Sequence, residues 1–222
     1  MASLSTTSYK DKIAARAAQE ISEGKVVNFG IGIPTLIAKF LPPEVQFFVH
    51  AENGVLGMGG RCRRGEEDRN LIDAGGAYVE LVPGASFADS SVSFAMIRGG
   101  RLDVAFLGAL EVSGKGDLAN WIIPGKYAPG IGGAMEVAQK ARRLVVVTNH
   151  NDRADNPKIV EECTLPLTGK SCVDLIITEI AVMQPTRRGL LLLEIAEGVE
   201  LEEVRQRTGT ELLLPPEGPG RF

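Results

Sequence analysis

Residues 49–60 read Val-His-Ala-Glu-Asn-Gly-Val-Leu-Gly-Met-Gly-Gly, which sets one carboxylate, Glu52, between an apolar run and a glycine-rich stretch. The preceding Val45-Gln46-Phe47-Phe48-Val49 is short, β-branched and aromatic, so it predicts a buried strand with Glu52 at its C-terminal end. In open α/β sheets that is the end at which ligands bind. Gly54, Gly57, Gly59 and Gly60 predict a turn whose backbone can approach a ligand with no Cβ in the way. A carboxylate held there can act as nucleophile, base or orienting group. The same residues also fit a solvated glutamate that simply opens a loop.

The other reactive side chains are few. The only histidines are His50 and His150. His50 beside Ser86 or Ser90 would be needed for a Ser-His-Asp system, yet no G-x-S-x-G elbow occurs, and His50 reads better as a packed or hydrogen-bonding residue. Cys62, Cys163 and Cys172 are odd in number and lack C-x-x-C spacing, so they read as reduced thiols rather than disulfides or zinc ligands. Glu66-Glu67-Asp68 reads as a solvated face, and no metal is expected. Two glycine loops, Gly30-Ile31-Gly32 and Gly130-Ile131-Gly132-Gly133, fall short of a full phosphate-binding fingerprint. Each can aim N–H groups outward at a helix start, toward a phosphate or a developing oxyanion, or can serve only as a tight helix entry.

The elements that must position these groups alternate. Tyr9–Ile21 has apolar residues at helical spacing. Val26–Phe29 reads as a strand running through the first glycine loop into a helix over Thr35–Phe40, with Pro34 in the first turn. Tyr78–Val82 is strand-like and Ser90–Ile97 helical, stopped by Gly99-Gly100. Val104–Leu110 and Leu144–Thr148 are continuous apolar runs, as strands buried on both faces require. A long loop separates them, followed by a helix opened by the second glycine loop. Leu175–Val182 reads as one strand-like run that pairs across a turn at Pro185–Gly189 with Leu190–Ile195; Leu201–Arg207 is a short helix, and 215–222 an irregular tail. This order predicts an α/β fold in one domain over 1–222: a single open, mainly parallel sheet flanked by helices, with an antiparallel portion near the C-terminus.

Composition narrows the classes. The chain has 222 residues, 44% hydrophobic and 23% charged, with net charge −4, which argues against disorder and against a basic nucleic-acid surface. No run approaches the roughly 20 apolar residues of a membrane span, and Met1–Lys12 lacks a signal-peptide profile, so a cytoplasmic protein is expected.

A glutamate is ionised at neutral pH and needs no adjacent base to attack. What its attack on a carbonyl lacks is driving force, because the anhydride formed is high in energy. A thiolate leaving group and remote binding energy from a large substrate supply it, and coenzyme A meets both conditions. In its motifs the chain resembles the β subunit of class I CoA-transferases that act on 3-oxoacids and short fatty acids. The resemblance runs from the N-terminal helix to about Leu214. It is carried in order and spacing by Asn28–Thr35, Glu52–Gly59, Ser93–Gly100, Gly116–Trp121 and Gly132–Met135.

The resemblance implies that Glu52 is the nucleophile of a ping-pong cycle through an acyl-glutamyl anhydride and a glutamyl-CoA thioester. It places Asn28 at the substrate pocket, with Gly30, Gly32 and Gly54 in the substrate- or CoA-binding loops. The Gly132-Gly133 turn would stabilise the oxyanion, through the N–H of Gly133. Asn53 would orient Glu52 or bind CoA, or else form a turn. No permanently bound cofactor is implied, CoA being a substrate. An obligate CoA-transferase α subunit would complete the acyl pocket, giving an α2β2 heterotetramer.

Two departures qualify the substrate. Relatives using succinyl-CoA or 3-oxoadipate carry Lys in an Asn-Ala-Gly-Lys stretch, whereas this chain has Asp73-Ala74-Gly75-Gly76, as do the acetate, butyrate and acetoacetate enzymes at the glycine. Without that cation a second substrate carboxylate has no partner. Glu136 stands where the family has Asp, a change expected to tune helix capping. An acyl-CoA hydrolase using the same glutamate, or a non-catalytic CoA-binding regulatory subunit, are the alternative functions.

Overall fold

The computed structural model describes residues 8–126, 128 and 130–222. In chain order its elements are α1 (Tyr9–Ala18), β1 (Val26–Phe29), a 3₁₀ helix (Ile33–Phe40), β2 (Phe48–Ala51), β3 (Val55–Arg61), β4 (Val79–Phe87), α2 (Ser90–Arg98), β5 (Val104–Leu107), β6 (Glu111–Ser113), β7 (Leu118–Ala119), α3 (Ala134–Lys140), β8 (Leu144–Val147), β9 (Ile159–Val160), β10 (Leu175–Ile177), β11 (Ala181–Thr186), β12 (Gly189–Ile195), α4 (Leu201–Arg207), β13 (Leu212–Leu213) and β14 (Gly220–Arg221).

Strands β13-β12-β11-β10-β8-β5-β1-β2-β3-β4 lie side by side in one sheet, with β14 also on β12. The middle five, β10-β8-β5-β1-β2, are parallel. Their side chains alternate strictly between the two faces. Val104 and Phe106 of β5, Val145 and Val147 of β8, and Leu175 and Ile177 of β10 join Ile13, Ala14 and Ala17 of α1 and Ile37 of the 3₁₀ helix. Ala105, Leu107, Leu144, Val146 and Ile176 face the other way, onto Ile97 of α2, Val137 of α3 and Val204 of α4. Burial on both faces explains why these strands are continuously apolar in sequence.

The caps follow from local chemistry. Ser8 accepts from the Lys10 amide to open α1, and Asp89 accepts from the Val92 amide at 2.9 Å to open α2. α1 is further tied to the sheet by Arg16, whose Nε and Nη2 both reach the Glu194 carboxylate of β12 at 2.7 Å.

Several elements differ from the sequence reading. The segment after the first glycine loop is a 3₁₀ helix, not an α-helix. It begins with an i to i+3 bond from the Thr35 amide to the Gly32 carbonyl and ends at Leu41, whose extended backbone precedes Pro42. The strand leading to Glu52 starts at Phe48 rather than Val45. The glycine-rich stretch after Glu52 is a tight turn followed by β3, which runs antiparallel to β2 and β4. Antiparallel strands therefore flank the parallel centre on both sides, not only near the C-terminus. The run from Leu175 breaks at Thr178–Ile180, where the chain reverses from β10 into β11; β11 and β12 form the expected hairpin. Inside the long loop after β5, β6 pairs with β7 and, on its other edge, with β9 in a small second sheet. The tail is not wholly irregular, since its end adds β14 and packs Phe222 against the apolar layer under α1.

Candidate active site

The site lies at the carboxyl ends of β1 and β2, where the chain's course across the sheet reverses: β2 falls on one side of β1 and β5, β8 and β10 on the other. Asn28 projects from β1 and is buried. Its amide donates to the backbone carbonyl of His50 at 3.0 Å and reaches Oε2 of Glu52 at 3.4 Å. The first bond ties the end of β2 to β1, while the second is long and leaves the carboxylate half-buried and only loosely held.

The turn after Glu52 needs glycine at position 54. Gly54 has φ +114°, and a Cβ there would fall 2.0 Å from the carbonyl oxygen of Ala88. Its amide donates to the Ala51 carbonyl, and its own carbonyl accepts from Ala88, so the turn is clamped from both sides. Gly133, at the start of α3, closes the site from the opposite direction. A Cβ on it would stand 3.3 Å from Cγ of Glu52 and 3.2 Å from Cζ of Phe94. Tertiary folding thus sets two residues eighty-one positions apart in direct contact range.

The remaining expected site residues divide. Gly132 (φ +52°) and Gly32 (φ +97°) have open space around the Cβ position. At Gly30 a Cβ would meet Leu107 Cδ2 at 3.0 Å and the Phe106 carbonyl at 3.1 Å, so this glycine lets β1 end close against β5. The Asn53 amide donates to the Ile72 carbonyl at 2.8 Å, anchoring the Asp73–Gly76 turn instead of orienting Glu52. Glu136 does not cap α3; its Oε1 accepts from Arg98 of α2 at 2.9 and 3.1 Å.

His50 is buried with its Nε2 3.0 Å from the Ser93 hydroxyl. Burial pushes its pKa below the ordinary histidine value, opposed by the charge of Glu52. Its partner is Ser93, not Ser86 or Ser90, and Nδ1 has no hydrogen-bonding partner among the described residues, so no carboxylate completes a triad. Ser93 and Phe94 are the neighbours that reasoning from sequence missed. Their only signal was membership of the Ser93–Gly100 stretch. The cysteines are poor nucleophiles: burial pushes the Cys163 thiol up to about 12 and the Cys172 thiol to about 11.

A half-buried carboxylate at a parallel strand end, an amide beside it and a glycine turn against its stem form a constellation suited to acyl transfer. The coenzyme A transferase family profile matches residues 10–207. The chain belongs to that family. It is 52% identical over 205 residues to the probable coenzyme A transferase β subunit of Bacillus subtilis (strain 168), covering 92% of this chain and 94% of that one. It is 47% identical over 209 residues to the mitochondrial succinyl-CoA:3-ketoacid coenzyme A transferase 2A of Rattus norvegicus, spanning 40% of that longer protein. Its fold matches an acyl-CoA transferase from Escherichia coli O157:H7 with a TM-score of 0.77 at 22% identity, over 97% of this chain and 43% of the other. Among the described residues no helix is long and apolar enough to cross a membrane.

Proposed function

We propose that this chain, as the β subunit of a CoA-transferase, carries the nucleophile Glu52. The carboxylate attacks the thioester carbonyl of an acyl-CoA, forming an acyl-glutamyl anhydride as the carbon–sulfur bond breaks and CoA leaves as a thiolate. The thiolate then attacks the glutamyl carbonyl, giving an enzyme-CoA thioester and releasing the donor as its carboxylate. An acceptor carboxylate runs the two steps in reverse. No net proton transfer is required, which suits a site whose nearest imidazole is buried and turns its Nε2 to Ser93.

The observation that carries this reading is the placement of Glu52, half-buried at the end of β2 with the Asn28 amide on one side and Gly133 against its Cγ. The N–H of Gly133 is the candidate donor to the tetrahedral oxyanion, because the turn reaches the stem of Glu52 itself. A partner α subunit follows from the relatives: one is named as a subunit, and the other is a single chain of which this one spans 40%. An α2β2 assembly is the expected form.

The substrate class is a short monocarboxylic or 3-oxo acid of the acetate, butyrate or acetoacetate type. The Asp73–Gly76 turn, tethered beside the site by Asn53, supplies no cation. Its one charge, Asp73, accepts from the amides of Gly75 and Ala77, and Gly75 lies against Ile31, which is 79% exposed. A second substrate carboxylate would meet an apolar, faintly acidic wall.

Incubating the complex with acetoacetyl-CoA and then borohydride should reduce a thioester at Glu52, read as a mass change on the peptide that contains it. Labelling at another residue would sink the proposal, and CoA release that needs no acceptor acid would identify a hydrolase instead.

A further inference from the structure

Helix α2 touches both halves of the site without supplying a reacting atom. Ser93 is 2% exposed, and its Oγ lies 3.0 Å from Nε2 of His50 and 3.3 Å from the carbonyl of Ala51, the residue before Glu52. A serine inside a helix commonly bonds its own preceding turn or faces solvent. Ser93 instead reaches across to β2. From there a continuous path leads to the carboxylate: the hydroxyl of Ser93 to the ring of His50, the His50 carbonyl to the Asn28 amide, and that amide to Glu52 Oε2.

The next residue serves the other half. The Phe94 ring lies against Gly133. One turn later the guanidinium of Arg98 sits 5.7 Å over the Phe94 ring and bonds Glu136 on α3, the helix that Gly133 opens. His50 also lines a cavity of about 30 Å³ with Ser86, Ser93 and Met96, large enough for one water. The backing of Glu52 is thus polar and specific, where packing alone would call for apolar side chains.

We propose that Ser93 is a positioning residue for Glu52, and that α2 braces the site by holding the nucleophile through Ser93 and the Gly133 turn through Phe94 and Arg98. This inference rests on Glu52 being the nucleophile. A brace acts on the geometry of attack, so its loss slows formation of the glutamyl thioester while leaving CoA affinity and fold in place.

The test is a rapid-quench measurement of thioester formation at Glu52 in the complex with the α subunit, over a range of acetoacetyl-CoA concentrations up to saturation, read by peptide mass spectrometry. Ser93→Ala should lower the rate on the order of tenfold or more with KM nearly unchanged, and Ser93→Thr, which restores a hydroxyl, should recover much of it. An unchanged rate in Ser93→Ala overturns the proposal, as does a loss that appears only in KM. Should Ser93→Ala fail to fold, Arg98→Ala takes its place, since that side chain is 55% exposed. It should slow the same step several-fold, and an unchanged rate there overturns the brace. Absence of any thioester at Glu52 in the unmodified complex would instead remove the nucleophile assignment, leaving the two failures distinguishable.

Discussion

Two polar clusters sit at the same carboxyl edge of the sheet and solve opposite problems. Around Glu52, the carboxylate is half-buried, one amide approaches it at 3.4 Å, and a glycine leaves room at its stem. Around His150, beyond β8, everything is closed. The ring is fully buried, with Nδ1 3.0 Å from the Thr178 hydroxyl and Nε2 2.9 Å from that of Thr208. Thr208 lies 2.6 Å from the Val204 carbonyl, to which its proton is directed, so Nε2–H donates to Thr208 and Nδ1 accepts from Thr178. The His150 amide donates to Glu179, which in turn pairs with Arg207. Burial, with the charge of Arg207 adding to it, holds the pKa of His150 down at about 3. A buried polar group with both ring nitrogens bonded stabilises one structure; a half-buried carboxylate with one long hydrogen bond keeps lone pairs unused.

That contrast can be broken or sharpened by substitution. The largest effect belongs to Glu52→Ala: if Glu52 is the nucleophile as proposed, turnover by the complex should fall by on the order of a thousandfold or more, with Tm nearly unchanged. Retained turnover would favour a regulatory, non-catalytic subunit. Gly133→Ala comes next. Its backbone (φ −82°) accepts alanine, yet the new methyl would press on Glu52 Cγ and Phe94, so kcat should drop about ten- to a hundredfold while urea denaturation stays near that of the parent.

The closed cluster should answer in stability instead. His150→Leu leaves two buried threonine hydroxyls short of a partner and should cost about 2 kcal/mol in urea unfolding, with turnover per folded molecule preserved. A signal of similar size lies in its pH dependence. A histidine held neutral in the fold contributes stability that is complete above its ordinary pKa of 6.5 and is lost as pH falls toward about 3. Between pH 7 and pH 5 that loss amounts to about 2 kcal/mol, and His150→Leu should flatten the slope by about that much. An equal slope in both proteins would mean that other groups carry the acid sensitivity.

Legibility in the sequence tracked the strength of the local pattern. β5, β8 and β10 are visible because both faces are buried and every position is apolar. β3 was hidden because Gly57, Gly59 and Gly60 carry no side chains to alternate, and its register against β4 slips twice across that stretch. Gly57 is required there, with φ +90° and only 2.9 Å from a Cβ position to Ala85 Cα. β6, β7, β9 and β14 are two or three residues long, too short for any periodicity, and β9 and β14 exist only through partners distant in the chain.

By itself the sequence determined the alternation of elements, the chemical identity of Glu52 and the order of motifs that marks a CoA-transferase chain, because these depend on residue type and spacing along the backbone. Only the tertiary structure decided which glycine faces Glu52, that Asn53 is bound elsewhere, that His50 turns to Ser93, and that α2 touches both halves of the site. Each of these is a contact between segments far apart in sequence, set by strand register and helix packing, which no local pattern of residues encodes.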